Sequence, residues 1–121
     1  SRRHGFQLHL AVDPQCENLA EPLASQVYRI VQESLNNAGR HAAATEVWVD
    51  LRIIGDELHL SIQDDGRGLQ PADLSKKGSF GLVGIRERVY TLAGSVEILG
   101  DIGKGTAVRV RLPLPKPEAS A

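Results

Sequence analysis

Residues 6–12, FQLHLAV, alternate: Phe6, Leu8, Leu10 and Val12 share one face, with Gln7 and His9 opposite. A period of two predicts a half-buried strand. From about Leu19 to Ala42 the period becomes helical, with Leu23, Val27, Ile30, Val31, Ala38 and Ala42 in one stripe at about 100° per residue. TEVWVDLRI returns to a period of two, with Val47, Val49, Leu51 and Ile53 inward and Glu46, Trp48, Asp50 and Arg52 outward. Gly55-Asp56 is a short hairpin signal, and ELHLSIQD follows with Leu58, Leu60 and Ile62 inward. Residues 66–80, rich in Gly, Pro and Ser with two lysines, read as a mobile loop. A short helix is predicted from about Leu82 to Ala93, stopped by Gly94. SVEIL, the turn GDIGKG and TAVRVRLPL supply two more strands. The order β–α–β–β–loop–α–β–β predicts an α+β fold. It is a two-layer α/β sandwich whose mixed, mostly antiparallel sheet is covered by helices.

Several polar residues break this pattern. In ESLNNAGRH (33–41) the middle of the longest predicted helix carries two asparagines, a glycine and a histidine, all poor helix formers. Glu33, Asn37 and Arg40 fall together on one flank of the apolar stripe, while Asn36 points toward solvent. An acid, an amide oxygen and a cation in line suit a hydrated Mg²⁺ and an anion. They equally suit a solvated helix face with a Glu–Arg contact. In LHLSIQDDGRG the inward phase of the strand runs on to Asp64, where a buried carboxylate needs a partner. An Asx turn ending the strand is the plainer alternative. Asp65 is out of phase and expected at the surface, and Gly66 and Gly68 allow a sharp turn and close approach of a ligand. Thr106, directly after Gly103-Lys104-Gly105, is also in the inward phase, where its hydroxyl can bond Asp64 or a ligand. The alternative is a β-branched residue simply suited to a strand. Gly81 and Gly84 bracket the start of the second helix, whose free amides can bind phosphate. Lys76 and Lys77 are more simply solvated, as are Arg86 and Arg88.

The totals narrow the chemistry. With 121 residues, 41% hydrophobic and 24% charged, the chain suits one domain over 1–121, with a core over about 6–113 and a tail at 114–121. A formal net charge of −1 gives no broad reason to bind nucleic acid, so none is expected as a partner. One cysteine, Cys16, excludes an internal disulfide and a multi-cysteine metal site. No apolar run reaches the roughly 18 residues needed to cross a bilayer, so a cytoplasmic domain is expected.

Taken in order, ESLNNAGRH, DDGRG, GLVGIRER and GKGT resemble the N box and glycine boxes of the Bergerat ATP-binding fold. That fold is shared by sensor histidine kinases, DNA gyrase, heat-shock-90 chaperones and mismatch-repair MutL proteins. The form QESLNNAGRHA with GLVGIRERV most resembles the ATP-binding catalytic domain of histidine kinases of the nitrate/nitrite-sensor type. The resemblance spans about residues 6–113 and implies ATP and Mg²⁺ as cofactors. It implies Asn37 as the magnesium ligand and Glu33 as the catalytic acid–base residue. Arg40 and His41 would lie near the phosphates and beside the nucleotide. Asp64 would accept a hydrogen bond from the adenine amino group, supported by Thr106. Gly66 and Gly68 would let the chain pass the base, Gly81, Leu82 and Gly84 would flank the phosphate end of a lid, and Gly103 and Gly105 would precede the threonine. The implied partners are a phosphoacceptor dimerisation domain of the same, homodimeric protein and a response regulator. The whole would be a membrane-anchored bacterial sensor. No residue here matches a phosphoacceptor histidine: His4, His9, His41 and His59 lie in strands, in the N box or at the fragment's start. A gyrase- or chaperone-like ATPase, a partner-switching serine kinase and a non-catalytic binding module are the competing readings.

Overall fold

The computed structural model describes residues 6–40, 44–66, 82–101 and 105–115. Five strands form one sheet: β1 (Gln7–Val12), β2 (Glu46–Ile54), β3 (Glu57–Asp64), β4 (Ser95–Asp101) and β5 (Gly105–Pro113). Their spatial order is β1-β2-β3-β5-β4. β1 runs parallel to β2 and every other pairing is antiparallel. Two helices, α1 (Leu23–Arg40) and α2 (Leu82–Thr91), touch each other and lie against the sheet, α1 on β2 and β3, α2 on β4. This is the expected mixed, mostly antiparallel two-layer sandwich.

The alternating residues set the layers. In-register rows such as Val49–Ile62–Val108 and Leu60–Val110–Val96 cross the sheet on one face. Leu58, Leu60, Val110 and Leu112 from that face pack with Val27 and Ile30 of α1 and Ile85 and Val89 of α2 in one core. Burying each such Leu or Ile contributes about 1.5–3 kcal/mol. No described helix covers the opposite face. There Trp48 stacks on His9 with ring centroids 5.6 Å apart, and Arg52 pairs with Asp50 at 2.9 Å.

Three local expectations change. First, β1 is not half-buried. Phe6 before it is buried, but Leu8, Leu10 and Val12 are 37%, 63% and 41% exposed. They sit beside Val47, Val49 and Leu51 on the helix side of the sheet, on its edge strand. Second, α1 begins at Leu23 rather than Leu19. Pro22 disfavours a helical Glu21, and the Glu21 carboxylate accepts bonds from the Ser25 amide (2.9 Å) and hydroxyl (2.7 Å). Ahead of it a short 3-10 turn, Pro14–Asn18, buries Cys16. Asp13 caps that turn by accepting from the Gln15 amide at 3.0 Å, and Pro14 opens it, a pairing visible in the sequence. Third, α2 ends at Thr91, and Ala93, not Gly94, takes the left-handed conformation (φ 59°). Gly94 is needed for a different reason: a Cβ there would collide with the Arg111 carbonyl and the Leu112 side chain.

Candidate functional site

β3 is the central strand, and its last residue, Asp64, lies in the row Val47–Asp64–Thr106 on the helix side. Its phase therefore forces the carboxylate inward, and Asp64 is only 7% exposed. Two amides meet it: Oδ1 accepts from Gly66 N at 2.8 Å and from Thr106 N at 3.2 Å. The Gly66 bond is the Asx turn that ends the strand, so that turn and the buried acid coexist. Burial pushes the Asp64 pKa above the ordinary carboxylate value, and the Gly66 and Thr106 amides pull the other way. The Asp65 charge adds a further upward push.

The neighbouring backbone is closely fitted to this acid. Gly105 has φ 92°, and a Cβ on it would run into the Asp64 carbonyl oxygen. Only glycine holds this place without strain. Thr106 is 8% exposed, and it is its amide, not the expected hydroxyl, that bonds Asp64. The Thr106 Oγ1 is buried, with no hydrogen-bond partner among the described residues. An orphaned buried hydroxyl costs about 1–3 kcal/mol unless a ligand or water meets it.

On α1, Leu23, Val27, Ile30, Ser34 and Ala38 form the buried face. Ser34 is a polar residue that the sequence pattern does not mark. It lies within the apolar stripe and satisfies itself by donating Oγ to the Ile30 carbonyl at 2.9 Å. Glu33 and Asn37 are half-buried beside it. Asn36, expected in solvent, is half-buried too, so burial alone does not separate the two asparagines. Of Arg40 and Leu82 the structure describes the backbone only, at the end of α1 and the start of α2. His41, Gly68, Gly81 and Gly103 lie outside the described residues. Gly84 stands in the first turn of α2, where a Cβ would meet nothing among the described residues. The structure thus brings Asp64, Gly66, Gly105 and Thr106 into direct contact. Glu33 and Asn37 stand on the flank of the helix that packs on the same strand.

A buried carboxylate raised in pKa, next to a hydroxyl unmet among the described residues, makes this the candidate site for a hydrogen-bonding group. A shallow groove on the opposite face, lined in part by Asp50, Arg52, His59, Glu97 and Arg109, has no such orphan. Its charges pair with one another, as in Arg52–Asp50 along β2 and Arg109–Glu97 between β5 and β4.

Residues 23–116 match the family model of histidine kinase-, DNA gyrase B- and HSP90-like ATPases. The chain belongs to that family. It is 39% identical over 101 residues to a sensor-like histidine kinase of Chloroflexus aurantiacus, covering 79% of this chain and 17% of the relative. It is 35% identical over 102 residues to the sensor histidine kinase LiaS of Bacillus subtilis, covering 84% of this chain and 28% of LiaS. It is 37% identical over 100 residues to DegS, a histidine-protein kinase/phosphatase of Bacillus subtilis, covering 81% of this chain and 26% of DegS. The chain thus matches only 17–28% of the length of these relatives. Among solved structures, the blue-light activated histidine kinase of Erythrobacter litoralis superposes with a TM-score of 0.78 at 25% identity, covering 91% of this chain and 36% of that one. The mycobacterial sensor histidine kinase MprB shares the fold, with a TM-score of 0.71 at 24% identity over 96% of this chain and 87% of that one. The expected family and fold are therefore upheld. The nitrate/nitrite-sensor likeness rests on the motif form alone. No helix among the described residues is long and apolar enough to cross a membrane.

Proposed function

We propose that this ATPase-family domain is the Mg-ATP-binding catalytic module of a two-component sensor histidine kinase. It donates the γ-phosphoryl group to a histidine on a separate dimerisation domain of the same homodimeric protein, for relay to a response-regulator aspartate. The whole protein would be a membrane-anchored bacterial sensor with this domain in the cytoplasm. The observation that carries the reading is the buried Asp64 beside the orphaned Thr106 hydroxyl. The adenine amino group supplies the donor that this carboxylate can take. The Thr106 hydroxyl meets a ring nitrogen or a water on the base.

The other roles are those that the motif resemblance implies. Asn37, half-buried on α1, offers an amide oxygen to magnesium. Among the described residues no group of three or more His, Cys, Asp or Glu side chains makes a metal cage. Asn37 with the nucleotide's own phosphates would then hold the ion, as is usual for Mg²⁺. Glu33 lies one turn before Asn37 and orients or polarises the accepting imidazole. Arg40 and His41 serve the phosphates and the base. By the same motifs, Gly66 and Gly68 would let the chain pass the base, Gly103 and Gly105 would precede Thr106, and Gly81, Leu82 and Gly84 would flank the phosphates. Bound Mg-ATP supplies the transferable phosphoryl group, and the protein contributes mostly position and charge.

Mixing this domain with ATP and a separately produced phosphoacceptor domain tests the reading. Acid-labile phosphate on the partner supports it. Steady phosphate release that needs no partner favours the gyrase- or chaperone-type ATPase of the same family. Magnesium-dependent ATP binding left unchanged by Asn37→Ala removes the metal assignment.

A further inference from the structure

Asp64 and Asp65 are adjacent, yet their carboxylates serve different neighbours. Asp65 is exposed, where a solvated surface acid is expected. Instead its Oδ1 accepts from the amides of Thr45 (2.8 Å) and Glu46 (2.9 Å), and its Oδ2 accepts from the Thr45 hydroxyl at 2.6 Å. Its own amide donates to the Glu46 carbonyl at 3.2 Å. Thr45 is tied further: its carbonyl accepts from Gln7 N at 2.9 Å. Next to it, Ala44 N donates to the Ala38 carbonyl of α1 at 3.2 Å. This knot joins β1, the start of β2, the end of β3 and the last turns of α1. The hydroxyl and amides of Thr45 and Glu46 hold the Asp65 carboxyl below its usual range, so it is ionised at neutral pH.

Ends of strands fray, because their last pairings have few neighbours. The paired rows of β3 end at Asp64, and only the Asp65 amide bond to the Glu46 carbonyl continues toward β2. A recognition carboxylate at such an end needs an external anchor if it is to stay within about 0.5 Å of a productive geometry. We propose that Asp65 is a positioning residue for nucleotide recognition. Its carboxylate locks the end of β3 to residues 44–46, and so fixes Asp64 relative to the α1 flank that carries Glu33 and Asn37. The proposal rests on the reading that Asp64 meets the adenine amino group.

The test compares ATP, GTP and inorganic tripolyphosphate binding to the 121-residue chain by calorimetry, with a thermal melt of each variant. GTP presents a carbonyl where ATP presents an amino group, so a correctly held Asp64 repels it. Asp65→Ala is expected to cut the preference for ATP over GTP by about tenfold, the scale of one charge-assisted hydrogen bond, while tripolyphosphate affinity stays within about twofold. Asp65→Asn should recover part of the preference, since its amide oxygen still accepts from the Thr45 and Glu46 amides. A lower melting temperature with an unchanged ATP/GTP ratio marks a purely structural role and overturns the proposal. If Asp65→Ala does not fold, Thr45→Val removes only the bond to Oδ2. It should shift the ratio the same way by about threefold, and an unchanged ratio overturns the proposal. Asp64→Asn in the same assay separates the two ideas. If it abolishes the preference while Asp65→Ala does not, positioning alone fails. If it leaves the preference intact, the adenine reading fails and positioning falls with it.

Discussion

The tripeptide Leu-His-Leu occurs twice in this chain, and its two copies meet opposite fates. In β3, Leu58 and Leu60 are 0% and 2% exposed, whereas in β1 Leu8 and Leu10 are 37% and 63% exposed. Both copies put their leucines on the helix side of the sheet. The histidines differ as well: His9 stacks on Trp48, while His59 lies 3.2 Å from the Glu57 carboxylate. Alternation therefore sets which face a side chain takes, and place in the sheet sets how deep it goes. β3 is flanked by β2 and β5 and roofed by α1, whereas β1 has one neighbour. A functional carboxylate that must be shielded from water belongs on a central strand, and Asp64 stands at the end of one.

The sharpest way to break this contrast is to truncate equivalent leucines. Leu60→Ala should lower unfolding free energy by about 2–5 kcal/mol in urea denaturation, because the core around it cannot refill the space. Asp64→Asn should weaken ATP by about 1.5–3 kcal/mol, on the order of ten- to a hundredfold in Kd, with little loss of stability. The amide oxygen can still accept from Gly66 and Thr106, so binding and folding should separate at this one site.

A third measurement uses pH. Burial raises the folded pKa of Asp64, so the folded chain takes up that proton more readily than the unfolded one. Its contribution to stability is complete below the unfolded carboxylate pKa, about 3.9, and is lost as pH rises through the folded value. Asp65, held low by the Thr45 and Glu46 donors, does the reverse. Its contribution is present above about 3.9 and is lost as pH falls through the folded value. Urea unfolding between about pH 3 and 7 should show Asp64→Asn and Asp65→Asn changing the slope in opposite senses. The smallest effect is expected at the edge: Leu10→Ala should change stability by no more than about 0.5 kcal/mol, and a core-sized loss would mean β1 is covered after all.

Much of this was legible in the sequence, for reasons that can be named. The alternation of β3 and β5, and of the first half of β2, is reliable because these strands lie inside the sheet, where phase and burial coincide. The same logic places Asp64 and Thr106 inward from their phase alone. It failed for β1 because nothing in FQLHLAV tells an edge from a centre. The exchange of roles between Ala93 and Gly94 was hidden because it depends on how close β5 passes. The Asp65 knot was hidden for a similar reason: its partners are Thr45 and Glu46, far back in the chain, and hydrogen bonds across that separation leave no local pattern. Asn36 and Asn37 are told apart by helical phase only.

The Asp64 carboxylate is wired to two amide protons on separate elements, Gly66 after β3 and Thr106 on β5. Anything that pulls on this acid must alter the electron density shared with both. The ¹H–¹⁵N resonances of Gly66 and Thr106 thus form a pair of native reporters, and their joint movement during a titration would signal occupancy of the base site without any attached label.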